Sequence, residues 1–279
     1  MRGAQKNREG IRNDPHSCQE RSSVSMRYVR FLTEDAPPRW GRQEGDVVHE
    51  LDGAPYEGGQ PTGRTVPLQA VQLLAPVTPS KIVCIGRNYR DHAAELGNAA
   101  PERPMFFLKA PSALIGPGEA IRLPDPDATV HWEAELAVVI GRRMKDVAPA
   151  DALSYVFGYT IANDVSHRDA QKADGAFGFG RGKSYDTFCP CGPAVVTEGI
   201  DPADALITLT CNEEVRQSDS TGLMIHPVPE LLSYLSQIMT LMPGDLVLTG
   251  TPKGVGAMKP GDLIEIHIPG IGTLANPVV

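Results

Sequence analysis

The sequence predicts an α+β fold dominated by strands, and three observations carry that reading. Apolar runs are short and bounded by turn residues, as in "KIVCIG", "PMFFLKAP", "ELAVVIG", "VFGYTIAND", "GPAVV", "LITLTCN", "DLVLTG" and "DLIEIHI". The 28 glycines and 25 prolines among 279 residues supply many turns, yet stay below the composition of a disordered chain. One segment alone, "PVPELLSYLSQIMTL", has clear helical spacing, with Leu231, Leu232, Leu235, Ile238 and Met239 behind a proline suited to a first helical turn.

Taken in order, residues 1–25 are polar and mixed in charge, without the apolar stretch of a secretion signal, and are expected to be disordered. Met26 opens "MRYVRF", an alternating strand start. From there to residue 75, short strands between Gly and Pro turns predict a small β-rich N-terminal domain. After "LLAPVTPSK" the runs become more apolar, and residues 76–279 are expected to form the larger domain that carries the chemistry. No repeat of fixed period is present. No stretch approaches the roughly 20 apolar residues of a membrane span.

A hydrophobic fraction of 41% with 22% charged residues is ordinary for a folded soluble chain. The formal net charge of -8 leaves no basic excess to neutralise phosphates, which argues against nucleic-acid and anionic-membrane partners and for a small-molecule ligand. Cys18, Cys84, Cys189, Cys191 and Cys211 are odd in number and lack paired spacing. Reduced thiols in a cytoplasmic compartment are expected.

The chemistry starts at "VHWEAELAVVI". Glu133 and Glu135 share one strand face with Ala137 and Val139, while Trp132, Ala134, Leu136, Val138 and Ile140 form the other. A lone Glu-x-Glu is most often a solvated strand edge. A strand this apolar on both faces is covered on both sides, where two ionised carboxylates are costly without a positive partner. Asp164 closes "VFGYTIAND", the next strand long enough to pair with the first, so three carboxylates can converge at adjacent strand ends. With no His or Cys cluster nearby, they select a hard cation over zinc: Mg²⁺, with Mn²⁺ or Ca²⁺ as alternatives.

A second constellation is "GRNYRDHAAELGN". Asn88 or Asp91 is placed to cap a helix that Gly97 would end, leaving barely two turns, too short to be stable alone and suited to a lid. His92 and Glu95 lie three apart on one face, so the carboxylate can orient the imidazole or share a water with it. An incidental surface pair is the bland alternative.

Together with "HWEAELAVVIG", "GYTIANDVSHRDAQ", "GRGKSYDTFCPCGP" and "PGDLVLTGTPKGVG", this stretch gives five ordered motifs that resemble the fumarylacetoacetate hydrolase family from Met26 to Val279. The resemblance implies a mixed β-roll catalytic domain, a small N-terminal domain, a divalent metal and a homodimer. It places the metal on Glu133, Glu135 and Asp164 and the water-activating pair on His92 and Glu95. Lys183 matches the lysine that stabilises developing negative charge, Thr187 a position near the metal's outer shell, and Gln171 and Thr251 substrate contacts. It implies a hydrolase that cleaves a carbon–carbon bond in a 2-oxo acid or 1,3-dicarbonyl substrate through an enolate. The same site without water attack gives an isomerase or decarboxylase of 2-oxo-dienoate products of aromatic ring cleavage. A rival from another class is a non-catalytic module that binds 2-oxo acids through a metal; intact His92, Glu95 and Lys183 argue against it.

Other motifs carry less. "HWE" with "PCGP" faintly matches a zinc-deaminase pattern, but Cys189 and Cys191 are one residue too close. "GFGRGKS" looks like a phosphate loop, but the glycine it requires is Phe177. Cys84 lies inside a strand and reads as core. Arg168, beside Asp169 and Gln171, reads equally as a substrate ligand and as half of an internal ion pair. His131 is unassigned and reads as a structural neighbour.

Overall fold

A computed structural model of the chain describes residues 26–34, 36–95, 97, 99–125, 127–175 and 178–279. The expected N-terminal extension, residues 1–25, lies outside the described residues. The architecture is strand-dominated, as predicted, with helices that are few and mostly of one or two turns.

Strands β1 (Arg27–Thr33), β2 (Ala36–Glu44), β3 (Val47–Leu51) and β4 (Pro61–Pro67) form an antiparallel meander, and β5 (Gln72–Leu74) adds to β1. Alternation on β1 buries Val29 and Phe31 against Val48. There follow β6 (Ile82–Gly86), α1 (Arg90–Glu95), β7 (Met105–Lys109), β8 (Leu114–Ile115), β9 (Val130–His131) and β10 (Ala134–Ile140). Next come α2 (Pro149–Ala152), β11 (Val156–Asn163), β12 (Ser166–His167), α3 (Arg168–Ala173), α4 (Gly178–Lys183) and β13 (Cys189–Val196). The chain closes with β14 (Leu206–Cys211), β15 (Glu214–Ser220), α5 (Val228–Ile238), β16 (Leu246–Leu248), β17 (Leu263–Ile268) and β18 (Gly272–Pro277).

One large mixed sheet runs β4-β3-β2-β1-β13-β11-β10-β16-β6-β7, with β5 and β8 attached at its side. Its β16–β6 and β13–β8 pairs are parallel and the others antiparallel. The first strands are hydrogen-bonded into this sheet through β1 and β13, at Arg27↔Val196 and Tyr28↔Val195. A second sheet, β15-β14-β17-β18, contributes Ile207, Leu209, Ile264, Ile266 and Leu274 to the same core. Every residue of β10 is buried, which explains why its sequence is apolar on both faces.

Helix α5 buries Leu231, Leu232 and Leu235 as the spacing predicts, and Val228 with them. It stops sooner than the periodicity suggests: Ile238 is half-exposed, and Met239 has left the helix with φ −137°. Among the described residues no helix is long and apolar enough to cross a membrane.

Candidate active site

The register of two strands assembles the acids. β10 pairs antiparallel with β11 at Ala134↔Asn163, and the Asp164 N–H donates to the Glu133 carbonyl at 2.9 Å. Side chains close the irregular backbone there: Asn163 Oδ1 accepts from Glu133 N at 2.9 Å and Gln217 Oε1 from Ala134 N at 3.0 Å. Glu133, Glu135 and Asp164 are all buried and bring one carboxylate oxygen each within 4.8 Å of one another.

The protein supplies counter-charges of its own. Lys183 Nζ donates to Glu133 Oε2 at 2.7 Å and to Asp164 Oδ2 at 2.6 Å. Lys109 Nζ lies 2.8 Å from Asp164 Oδ1 and donates to the carbonyls of Val165 (3.1 Å) and Phe188 (2.6 Å). Arg168 Nη2 meets Glu133 Oε1 at 2.5 Å. Burial alone would raise the Glu133 carboxyl, but Lys183 and Arg168 hold it well below its ordinary value. Glu135 goes the other way: burial, then repulsion from Asp164 and Glu133, pushes it well above.

Glu135 Oε2 accepts from Gly250 N at 2.6 Å, while its Oε1 is buried without a hydrogen-bond partner. Gly250 has φ +101°, and a Cβ there would stand 2.7 Å from Asn88 Cβ, so only glycine brings this N–H to the acid. Three converging hard oxygen donors, one of them orphaned, fit a divalent cation of the magnesium or calcium kind.

His92 is buried on α1, with Nδ1 3.5 Å from Glu95 Oε2 and without a hydrogen bond from that atom among the described residues. Burial lowers its imidazole below the ordinary value, against the pull of Glu133. The six-residue helix is held from outside: Glu95 accepts from Gly254 N at 3.1 and 3.2 Å, and Asp91 pairs with Lys253 at 2.7 Å. Neither proposed cap operates: Asn88 Oδ1 accepts from His226 N at 2.9 Å, outside the helix, and Asp91 faces Lys253. Gly97 follows the helix with φ +69°, the expected stop.

A cavity of about 580 Å³ is lined by His92, Glu133, Asp164, Arg168, Gln171, Lys183 and Thr251, so seven of the nine candidate residues line one cavity. Glu135 and Glu95 stand behind it, one under Gly250 and the other against Gly254. Phe107 and Phe179 stack at 5.0 Å beside it, and Lys183 Nζ lies 5.1 Å from the Phe107 ring centre. Arg168 pairs with Glu133 and Gln171, not with Asp169, whose carboxylate accepts from Thr129 N. Among the described residues, Gln171 Nε2 and Arg168 Nε are buried without hydrogen-bond partners. His131 also lines the cavity, its imidazole pushed down to about 4 by burial and by Arg168. Thr187 Oγ1 accepts from Arg122 N at 2.9 Å. Cys84 is core, as expected.

A buried acid triad at the joint of two sheet strands, beside a cavity that His92 and Lys183 also line, defines an enzyme that acts on a small molecule. The chain belongs to the fumarylacetoacetate hydrolase family: residues 81–279 match the model described as Fumarylacetoacetate (FAA) hydrolase C-terminal, and residues 26–76 match Rv2993c-like, N-terminal. Protein Rv2993c of Mycobacterium tuberculosis is 52% identical over 235 residues, covering 84% of this chain and 88% of that protein. Oxaloacetate tautomerase fahd2, mitochondrial, of Xenopus laevis is 37% identical, covering 92% of this chain and 91% of that protein. The crystal structure of 2-hydroxyhepta-2,4-diene-1,7-dioate isomerase from Mycobacterium marinum superposes with a TM-score of 0.83 at 46% identity, covering 91% of this chain and 98% of that one.

Proposed function

We propose that the chain interconverts keto and enol forms of a 2-oxo dicarboxylic acid through an enolate. The observation that carries this is that His92 and Lys183 line the same cavity as Glu133 and Asp164. The names of the frog tautomerase and the M. marinum isomerase support the same class. Glu133, Glu135 and Asp164 would hold a divalent metal, Mg²⁺ before Mn²⁺ or Ca²⁺, which when bound supplies Lewis-acid polarisation of the 2-oxo acid oxygens.

The remaining work falls to side chains. Gln171 Nε2, buried and unpartnered, donates to a substrate carboxylate, and Arg168 holds the Gln171 amide in that orientation through its Oε1 at 3.0 Å. His92, kept neutral by burial, takes the proton from the carbon beside the ketone, and Glu95 compensates the imidazolium that forms. Burial works against the Lys183 charge, but Asp164 and Glu133 keep the ammonium protonated, and it faces the developing enolate oxygen. Return of the proton to a different atom completes the isomerisation.

Carbon–carbon bond hydrolysis is the second reading. It uses the same enolate, with His92 deprotonating a water that attacks a carbonyl, and a cavity of about 580 Å³ has room for that water beside a substrate. The reading divides the chain at residues 75 and 76, supported by the two family matches, and makes it a cytoplasmic homodimer, which light scattering checks.

The test is to incubate the protein with oxaloacetate, an unsaturated 2-hydroxydioate and acylpyruvates in ¹⁸O-labelled heavy water, with Mg²⁺ and with chelator. Deuterium exchange beside the ketone without ¹⁸O in product is expected. ¹⁸O in a new carboxylate would favour the hydrolase, loss of CO₂ a decarboxylase, and binding without any product would overturn catalysis.

A further inference from the structure

We propose that Gln217 is a positioning residue that fixes the Thr251 hydroxyl as a hydrogen-bond donor to an anionic oxygen of the bound substrate. The inference rests on reading the cavity as the substrate site and adds to it a residue from the other sheet.

Gln217 lies on β15, at the edge of the second sheet, and is the single residue of that strand that is fully buried, with 1% exposure. Its Oε1 accepts from the N–H of Ala134, the residue between Glu133 and Glu135, at 3.0 Å. Its Nε2 donates to Thr251 Oγ1 and to the Pro252 carbonyl, both at 2.8 Å. The amide has one orientation only, because the reverse would set its oxygen against the Pro252 carbonyl and its NH₂ against the Ala134 N–H.

The consequence falls on Thr251. Its oxygen already accepts from an amide nitrogen that has no lone pair to offer in return, so its own proton must go elsewhere. Among the described residues no hydrogen bond takes that proton, and Thr251 is buried yet lines the cavity. The hydroxyl therefore presents its proton to whatever occupies the cavity, which suits a carboxylate or enolate oxygen and disfavours an N–H or ammonium group. The same amide ties that donor to the strand carrying the two glutamates, so donor and acids keep one register.

The experiment is calorimetric titration of oxalate in the presence of Mg²⁺ into wild type, Gln217→Glu, Thr251→Val, Thr251→Ser and the Gln217→Glu/Thr251→Val pair. A carboxylate at 217 accepts from Thr251 and turns its proton away from the cavity. Gln217→Glu is expected to weaken oxalate by about tenfold or more with Mg²⁺ affinity unchanged. Thr251→Val is expected to match it, Thr251→Ser to keep wild-type affinity, and the pair to be no weaker than Thr251→Val alone. Additive losses, or unchanged oxalate affinity in Gln217→Glu, would overturn the proposal. Should the buried charge prevent folding, neutron diffraction of the deuterated wild-type oxalate complex decides: a Thr251 deuteron on the oxalate side supports it, and one on any protein atom overturns it. Oxalate that fails to bind the wild type overturns the substrate-site reading as well, whereas oxalate that binds the wild type and every variant equally well overturns this inference alone.

Discussion

The backbone of Asp164 is bonded to the backbone of Glu133, N–H to carbonyl at 2.9 Å, so the first and third acids of the triad are fixed together before any side chain acts. Glu135 is held differently: its Oε1 has no hydrogen-bond partner among the described residues. Its carboxyl is raised by burial and by its two acidic neighbours, so the folded chain prefers it protonated. That preference stabilises below the ordinary value of 4.5 and is lost as pH rises. In chelator-treated protein, Glu135→Gln is expected to stabilise by on the order of 1–3 kcal/mol at about pH 8, and the gain should shrink toward acid. Scanning calorimetry across pH checks this; a lower Tm for the variant at about pH 8 would show that the acid is compensated.

Lys109 carries the opposite expectation. It is a fully buried ammonium with two carbonyl bonds and an ion pair to Asp164. Lys109→Met should destabilise by about 3–5 kcal/mol, because it leaves a buried acid short of its partner. Urea unfolding measures the loss, and a cost below about 1 kcal/mol would mean that the lysine does not hold Asp164.

The pH profile should report His92. Because burial lowers its imidazole, the neutral base persists below 6.5, and kcat/KM should fall only as pH drops through a midpoint beneath that value. Glu95 raises the imidazole, so Glu95→Gln should move the acid limb further down while lowering kcat. His92→Gln should cost about 10²–10⁴ in rate and remove the limb. An acid limb above 6.5 in the wild type would contradict the burial account.

Much of this was legible in the sequence because it rested on period and spacing. The apolar runs became strands, β10 was covered on both faces, and Asp164 fell beside the glutamates because the next long strand paired antiparallel with theirs. Helix α5 was visible because four of its apolar residues face one core. What escaped has physical causes. Helices α3 and α4 have six residues each, too few to show a helical period. Strand β15 is polar along an edge, and it follows a tight turn in which Asn212 and Glu213 both take positive φ without the glycine that signals such turns. Lys109 and Gln217 reach the site from elements distant in sequence, and a single lysine ending "FFLK" or a glutamine on an edge strand gives no local sign of that. The Asn88 cap failed because its Oδ1 accepts from the 226 N–H, across the fold.

The central claim is that Glu133, Glu135 and Asp164 hold a divalent cation on which turnover depends. Manganese binding followed by electron paramagnetic resonance, in parallel with turnover of oxaloacetate, tests it most directly in wild type and Glu135→Ala. One tightly bound ion per chain is expected in the wild type, no such ion in Glu135→Ala, and no turnover in that variant or in chelator-treated protein. Full turnover with chelator present, or a Glu135→Ala chain that still binds the ion and turns over substrate, would contradict it.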